Sequence, residues 1–295
     1  MILHGYADPR NPARVVLLGA RGFIGGALRR RLEEARFDLR AFGSADIDLT
    51  HPASAEQLSK ALKPTDAVVM LAALTPDKGR DIATLMKNLA MMQHLCAALE
   101  RSGCSHLIYF SSDAVYPFTA GRVNEETPAA PHDLYGAMHL ARELVARSLA
   151  RIPLLILRPT LVYGAEDTHN AYGPNRFRRS VQADGRIQLF GEGEETRDHI
   201  HVDDVAALTV RCLERRSTGV LNAATGISTS FREVAELVAA QFSRPVEIVR
   251  APRANAVTHR HYDVTELLKG FPDFRFVTLR DGIAAIERRT EKPNG

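Results

Sequence analysis

The chain has 295 residues, of which 45% are hydrophobic and 25% are charged, and its 38 Lys and Arg residues against 35 Asp and Glu give a net charge of +3. This composition is typical of globular proteins and excludes collagen-like fibres and wholesale disorder. So small a net charge gives no support to nucleic-acid binding. No apolar run approaches the roughly 20 residues of a membrane span, the first residues lack a signal-peptide pattern, and three cysteines without metal-ligand spacing indicate reduced thiols. We therefore expect a cytoplasmic protein without membrane or nucleic-acid partners.

The chain alternates strand and helix patterns over its first half. Residues 1–12 carry two prolines and little apolar periodicity, which predicts a loose lead-in. Helical spacing follows the glycine-rich turn at 19–26 and recurs at 82–99 and 135–150. Apolar runs predict strands at 14–18, 37–42, 66–73, 106–110 and 154–158. Alternating strands and helices imply crossover connections, and so a parallel sheet covered on both faces.

This rhythm breaks after Tyr163. Residues 164–200 are rich in Gly, Asn and charge, which predicts a loop-rich segment under a cleft. A helix at 203–215 and a short strand at 219–222 follow. Ser230 and Glu233 have the spacing of a capping box that opens a helix reaching residue 242.

Three glycines, Gly19, Gly22 and Gly25, lie between the first strand and the first helix, spaced three and three residues apart. A dinucleotide pyrophosphate needs bare backbone at such a turn, and the helix N-terminus supplies amides and the positive end of its dipole. The glycine-rich turn therefore predicts a dinucleotide site.

The three-and-three spacing resembles the extended short-chain dehydrogenase/reductase family of nucleotide-sugar epimerases, dehydratases and reductases, and further similarities run from residue 15 to about residue 286. The resemblance implies an α/β fold: a doubly wound parallel-sheet Rossmann domain (13–163 and 198–224) with a smaller, discontinuous C-terminal substrate-binding domain (164–197 and 225–295). It also implies an NAD(P) site. The cofactor-binding residues that it implies are Gly19, Arg21, Gly22, Phe23, Ile24, Gly25, Asp48, Leu49, Ala72, Ala73, Tyr135, His139 and Pro159.

The choice between NAD and NADP depends on the end of the second strand. An NAD site places a carboxylate there for the ribose hydroxyls, whereas an NADP site places a cation for the 2′-phosphate. Phe42, Gly43 and Ser44 provide no acid, and Arg21 is a basic residue inside the glycine loop. These residues favour NADP over NAD, although Arg21 also fits a solvated loop arginine.

Two segments resemble the active site of the family, Ser111 to Tyr116 and Tyr135 to His139. The resemblance implies that Tyr135 moves a proton to or from the substrate oxygen and that Ser112 hydrogen-bonds that oxygen. Residues four apart share a helix face, so Tyr135 and residue 139 would both face the nicotinamide ribose.

His139 stands where the family has the lysine of Tyr-x-x-x-Lys. A histidine can hydrogen-bond a ribose hydroxyl, but it is not a permanent cation near neutral pH. Tyr135 would then be a weaker base than a tyrosine beside the family's lysine, unless Arg21, Arg158 or the oxidised nicotinamide supplies the positive charge. Because His139 replaces the lysine, weak or lost catalysis is an alternative for this protein.

Asp113 matches the acid of the family's dehydratases, and Ala114 replaces their glutamate base. Water elimination therefore loses its base, which leaves 4-epimerisation or 4-keto reduction. Asp113 also fits a turn-capping carboxylate.

The resemblance assigns the substrate diphosphate to Asn175, Arg197 and Arg253. Two arginines suit a diphosphate because each guanidinium can engage two oxygens. Alternating histidines at 199 and 201 lack a third ligand at a set distance, so we expect no metal.

These patterns predict an NAD(P)-dependent epimerase that transfers a hydride at C4 of a nucleotide-diphosphate sugar. The alternatives are an NAD(P)H-dependent 4-keto-sugar reductase and a dinucleotide-binding regulatory protein. Members of the family often dimerise through the tyrosine-bearing helix, so we expect a homodimer.

Overall fold

A computed structural model describes residues 2–290, with side chains described through residue 286. The strands, in chain order, are β1 (Ile2–His4), β2 (Arg14–Leu18), β3 (Leu39–Phe42), β4 (Asp66–Met70), β5 (His106–Phe110), β6 (Arg122–Val123), β7 (Leu154–Pro159), β8 (Leu161–Tyr163), β9 (Arg186–Phe190), β10 (Thr196–His201), β11 (Ser217–Ala223), β12 (Ser228–Ser230), β13 (Glu247–Ala251) and β14 (His261–Tyr262). The helices are α1 (Phe23–Glu34), α2 (Ser54–Ala61), α3 (Ile82–Ser102), α4 (Leu134–Arg147), α5 (Pro174–Asp184), α6 (Val202–Glu214), α7 (Phe231–Ala239), α8 (Thr265–Gly270) and α9 (Leu279–Thr290), and a 3-10 turn spans Asp113–Val115.

A seven-stranded sheet in the order β1-β11-β7-β5-β4-β2-β3 is the centre of the fold. Its strands are parallel except β1, which pairs antiparallel with β11. The chain leaves β2 toward β3 on one side and returns to β4 on the other. In such sheets, ligands bind at this switch point, outside the carboxyl ends of the strands.

Alternating strand residues divide the core into two layers. Val15 and Leu17 of β2 pack in a cluster with α1 and α6, whereas Val16 and Leu18 pack in a second cluster with α2 and α3. The sheet is thus covered on both faces, and the predicted α/β, doubly wound parallel sheet is confirmed.

A smaller region lies beyond the sheet. Its cluster packs Phe177 and Val181 of α5 against Val234 and Val238 of α7, with Ile187 of β9 alongside. The prediction that residues 164–200 are loop-rich is wrong, because α5, β9 and β10 occupy much of that segment. Pro174 in the first turn of α5 and the left-handed Gly185 that caps its end are ordinary helix boundary signals.

One further expectation fails at the edge of the large sheet. The predicted loose lead-in contains β1, whose Ile2 pairs with Gly219 of β11. Leu267 of α8 and Phe271 pack into the cluster that covers the large sheet, although both lie within the predicted substrate-binding segment 225–295. Residues 291–295 of that segment lie outside the described residues.

Candidate active site

The glycine turn closes tightly against the end of β4. Gly19 has a φ of +92°, and a Cβ built on it would lie 2.7 Å from the Ala72 backbone nitrogen. A Cβ on Gly25 would lie 2.1 Å from the Gly19 carbonyl oxygen. Both positions need glycine for the fold itself, because the strand and helix approach too closely for a side chain.

Gly22 differs from these two glycines. A Cβ there would meet only the Gly19 carbonyl oxygen, at an ordinary contact distance of 3.4 Å. Gly22 is the N-cap of α1, which has no side-chain cap and no acidic residue in its first turn. The positive end of the α1 dipole therefore has no counter-charge from its own first turn, which suits a bound phosphate.

A crevice of about 310 Å³ opens beside this turn, at the switch point of the sheet. It is lined by residues predicted for the cofactor, namely Gly19, Arg21, Gly22, Asp48, Leu49, Ala72 and Ala73. The side chains of Phe23 and Ile24 instead pack in or against the core. Pro159 ends β7 at the same carboxyl edge of the sheet. The residues present fit a dinucleotide.

Arg21 lines the crevice and packs against the turn that follows β3. A Cβ on Gly43 would lie 2.8 Å from the Arg21 Cδ, so the arginine stem crosses this glycine. The guanidinium is 3.5 Å from Asp46, and the Arg21 side chain is 66% exposed. The Asp46 carboxylate also accepts a hydrogen bond from the Gly43 backbone N–H.

Ser112 and Tyr135 meet at the carboxyl end of β5. Ser112 caps the 3-10 turn that follows β5, and Tyr135 lies in the first turn of α4, where Asp133 is the N-cap. The first turn of α4 packs against this 3-10 turn and brings Tyr135 close to Ser112. Burial raises the pKa of the Tyr135 phenol to about 12, and the neighbouring Ser112 hydroxyl opposes this rise. Gly136 lets the helix approach, because a Cβ there would lie 2.2 Å from the Ala114 carbonyl oxygen.

His139 lies one turn after Tyr135 and is buried. The two rings pack edge to face with centroids 4.7 Å apart. Nδ1 of His139 is 2.9 Å from the Tyr109 hydroxyl, while its buried Nε2 has no hydrogen-bond partner among the described residues. Burial, and then the nearby Arg142 guanidinium, hold the pKa of His139 well below its ordinary value. The imidazole is therefore neutral at physiological pH.

Arg158 belongs to a different network behind the site. Its guanidinium donates to both carboxylate oxygens of Glu143, at 2.8 and 2.6 Å, and to the Tyr116 hydroxyl at 2.8 Å. Glu143 also accepts from Ser111 at 2.6 Å. Because Glu143 neutralises Arg158, this arginine cannot supply the unpaired charge that the sequence suggested.

The Asp113 carboxylate, next to Ser112, is held by two residues at β14. It accepts hydrogen bonds from Tyr262 at 2.9 Å and from Arg260 at 3.3 Å. The guanidinium of Arg260 also stacks over Phe118, 4.8 Å from the ring centroid. These contacts tie β14 to the 3-10 turn, a role beyond turn capping. The sequence offered only the proximity of Arg260 and Tyr262 to the predicted Arg253 segment.

The two predicted diphosphate arginines converge on one carboxylate. Glu195 is 3.2 Å from Arg253 and 4.0 Å from Arg197. Arg197 also donates to the Thr258 carbonyl and hydroxyl oxygens, each at 2.7 Å. The sequence singled out both arginines but missed Glu195, the acid that they share.

Asn175 is buried at the start of α5 and donates to Asp167 at 2.8 Å. Its Oδ1 is buried without a hydrogen-bond partner among the described residues.

His199 and His201 lie on β10. Within residues 2–290 no group of three His, Cys, Asp or Glu side chains could hold a metal ion. None of the helices described combines the length and apolar character needed to cross a bilayer.

Comparison with known proteins gives the family context. The model of the NAD dependent epimerase/dehydratase family matches residues 15–224. A curated relative, GDP-mannose 3,5-epimerase 1 of Oryza sativa subsp. indica, is 24% identical over 305 residues, covering 93% of this chain and 81% of the relative. Other relatives include a nucleotide-sugar reductase and a dehydratase.

Solved structures superimpose over nearly the whole chain. MoeE5 in complex with UDP-glucose and NAD is 26% identical, with a TM-score of 0.82 over 95% of this chain and 100% of the other. RMD from Pseudomonas aeruginosa complexed with NADPH is also 26% identical, with a TM-score of 0.79 over 93% and 97%. The family model, the shared fold and the glycine crevice agree: this chain belongs to the NAD-dependent epimerase/dehydratase family, the nucleotide-sugar branch of the extended short-chain dehydrogenases/reductases.

Proposed function

We propose that this chain is a 4-epimerase of a nucleotide-diphosphate sugar that uses NADP in preference to NAD. One observation carries the proposal: Tyr135 at the start of α4 and Ser112 after β5 lie close together at the edge of the sheet that bears the glycine crevice. Two hydroxyls in that arrangement can bind one substrate oxygen and exchange its proton.

The cofactor would be held by the backbone of Gly19, Gly22 and Gly25, with its adenosine beside Asp48 and Leu49. Bound there, it would supply the hydride acceptor and donor. Arg21 supports NADP, because its guanidinium lies over the turn after β3, where an NADP-binding site needs a cation. His139 would hold the ribose through Nε2, the buried nitrogen without a partner among the described residues.

Tyr135 would take the proton from the C4 hydroxyl and return it after the sugar turns over. Ser112 would hold the same oxygen and keep it in place during that turn. Asp113, anchored by Arg260 and Tyr262, would position Ser112, whose hydroxyl lies 3.4 Å from its carboxylate. In this proposal Asp113 acts as an acceptor and does not protonate a leaving group.

The substrate diphosphate would bind to Arg197 and Arg253, with Asn175 as a further contact. Both arginines are 14–16% exposed, so they are accessible to an anion while protected from bulk solvent. A diphosphate would take the place of the Glu195 carboxylate between them.

A 4-keto-sugar reductase is the second candidate. The exposed Arg21 favours it, since a reductase must release and rebind NADP at each turnover through an open site. A regulatory protein that binds the dinucleotide without chemistry is a third outcome of the experiment below.

The test incubates the protein with NADP⁺ or NADPH and a panel of UDP-, GDP- and dTDP-linked hexoses and 4-keto hexoses. We expect interconversion of C4 epimers, and at least a 1,000-fold loss of turnover in Tyr135→Phe with cofactor binding retained. Net NADPH oxidation would indicate the reductase. Full turnover in Tyr135→Phe would refute the assignment, and cofactor binding without turnover on any sugar would favour the regulatory protein.

We also propose a homodimer formed through α3 and α4. Ile82 and Met86 of α3 are 70% and 56% exposed, and Leu144 of α4 is 60% exposed. Large apolar side chains on adjacent helices favour a self-associating face. Leu144→Asp should convert a dimer to a monomer in analytical ultracentrifugation, whereas Leu3→Asp on the edge strand β1 should not.

A further inference from the structure

A fully buried guanidinium, that of Arg142, lies behind the Tyr135–His139 pair. Arg142 is 0% exposed and occupies the same face of α4 as Tyr135 and His139, seven and three residues after them. No carboxylate within residues 2–286 lies at ion-pair distance from it. Buried charges in proteins are ordinarily paired, because removing an ion from water is costly. An unpaired one therefore needs an explanation.

The contacts of Arg142 fix it between the cofactor crevice and the catalytic helix. It donates to the Ala72 carbonyl oxygen at 2.9 Å, and Ala72 lines the crevice. The guanidinium stacks over the Tyr109 ring, 5.1 Å from its centroid, and the Tyr109 hydroxyl contacts Nδ1 of His139. Arg142, Tyr109, His139 and Tyr135 thus form one continuous packed series.

The other arginines that the sequence suggested do not serve this site. Arg21 is exposed and pairs with Asp46 at the turn after β3. Arg158 is neutralised by Glu143. His139 is neutral, because burial and Arg142 itself disfavour its protonation.

We propose that Arg142 supplies the fixed positive charge at the active site that His139, in place of lysine, does not supply, and that it acts on Tyr135 by stabilising the phenolate. Arg142 is a positioning residue in this sense, because it works through Tyr135 and does not touch the substrate. The inference rests on the proposed function of Tyr135. It explains how a family member can lose the lysine and still retain a base.

The positive charge of Arg142 lowers the pKa of the Tyr135 phenol, whereas other groups that face Tyr135 raise it. Burial raises the pKa of the Tyr135 phenol most, the Asp113 and Asp133 carboxylates raise it further, and Ser112 and Arg142 lower it. Arg142 also faces Cys96 of α3 and Tyr109 of β5, whose pKa values burial raises and Arg142 lowers. Asp113 is itself paired with Arg260, so Arg142 is a cation of this site that has no carboxylate partner of its own among residues 2–286.

The first experiment measures the ionisation of Tyr135 without cofactor or sugar. The protein is labelled with 3,5-difluorotyrosine, whose phenol is more acidic than that of tyrosine, and titrated by ¹⁹F NMR, with the Tyr135→Phe variant identifying the resonance. Arg142→Gln keeps a hydrogen-bond donor for Ala72 but removes the charge, and should raise the Tyr135 midpoint by about one pH unit. Arg142→Lys keeps the charge and should stay near the wild-type midpoint.

Arg147→Gln is the matched control, since Arg147 lies on the same helix with its side chain 40% exposed. It should leave the midpoint unchanged. An unchanged midpoint in Arg142→Gln, or an equal rise in Arg142→Lys, would overturn the proposal. Because no substrate is used, this result is independent of whether the chain proves to be an epimerase.

The second experiment moves the positive charge from position 142 to position 139. His139→Lys alone places two cations on one buried helix face and should lower the melting temperature. His139→Lys combined with Arg142→Gln should recover at least half of that loss and restore the wild-type Tyr135 midpoint. Additive destabilisation of the two substitutions would contradict a shared charge site.

Discussion

The glycine crevice and the pair Arg197 and Arg253 differ in how each would accept an anion. At the crevice, the N-terminus of α1 has no acid in its first turn, and Gly22 leaves its backbone bare. On the substrate side, Arg197 and Arg253 already share the Glu195 carboxylate. A pyrophosphate at the glycine turn would break no ion pair, whereas a diphosphate at the second site would have to replace Glu195. The first site favours tight retention, and the second favours exchange.

The glycines of the crevice offer the largest test of this comparison. Gly25→Ala should abolish dinucleotide binding and destabilise the fold by about 2–4 kcal/mol, because its methyl group would clash with the Gly19 carbonyl. Gly22→Ala should leave the melting temperature unchanged and weaken dinucleotide binding at least tenfold.

Calorimetric titration with NADPH and thermal melts measure both effects. Gly26→Ala is the control, since a Cβ there meets nothing closer than 4.0 Å. Wild-type affinity in Gly22→Ala would mean that no phosphate lies against this backbone.

The shared carboxylate gives the next test. Arg197→Gln should weaken the binding of the matching nucleoside diphosphate by about 10- to 30-fold, because a charge-assisted pair of hydrogen bonds is lost. Glu195→Gln should tighten binding several-fold, because the competing carboxylate is removed.

Isothermal titration with UDP, GDP and dTDP measures these changes. Arg250→Gln removes an exposed arginine of the same region and should have no effect. Weaker binding in Glu195→Gln would show that Glu195 organises the arginines and does not compete with the ligand.

The smallest effect concerns cofactor choice. Arg21→Ala should weaken NADPH binding about five- to tenfold and leave NADH binding unchanged, because only NADPH carries the 2′-phosphate. Fluorescence titrations of both cofactors measure the ratio, and Arg29→Ala, an exposed arginine of α1 paired with Glu33, is the control. An equal loss for both cofactors would place Arg21 near the shared pyrophosphate.

The sequence predicted those parts of the fold that local patterns determine. The strand at 14–18, the glycine turn and the capping box of Ser230 and Glu233 each depend on residues close in the chain, and the structure contains all three. The strand at residues 2–4 was missed because three residues carry no periodicity of their own, and the strand exists through pairing with β11.

In the candidate site, too, local spacing predicted some residues, and tertiary contacts alone bring the others together. Spacing within α4 placed Tyr135 and His139 on one face, and the helix repeat could also have indicated Arg142. Nothing local marks Glu195, Arg260 or Tyr262 as partners of distant residues. Whether a buried arginine is paired, as Arg158 is, or unpaired, as Arg142 is, depends on tertiary contacts that spacing does not encode.

The antiparallel strand β1 has a consequence for handling the protein. Its three residues cover the outer edge of β11, where backbone donors and acceptors would otherwise stand open to another molecule. A short N-terminal ribbon thereby blocks edge-to-edge growth of the sheet on that side. Loss of β1 would therefore leave the β11 edge open to pairing with another molecule and would favour aggregation.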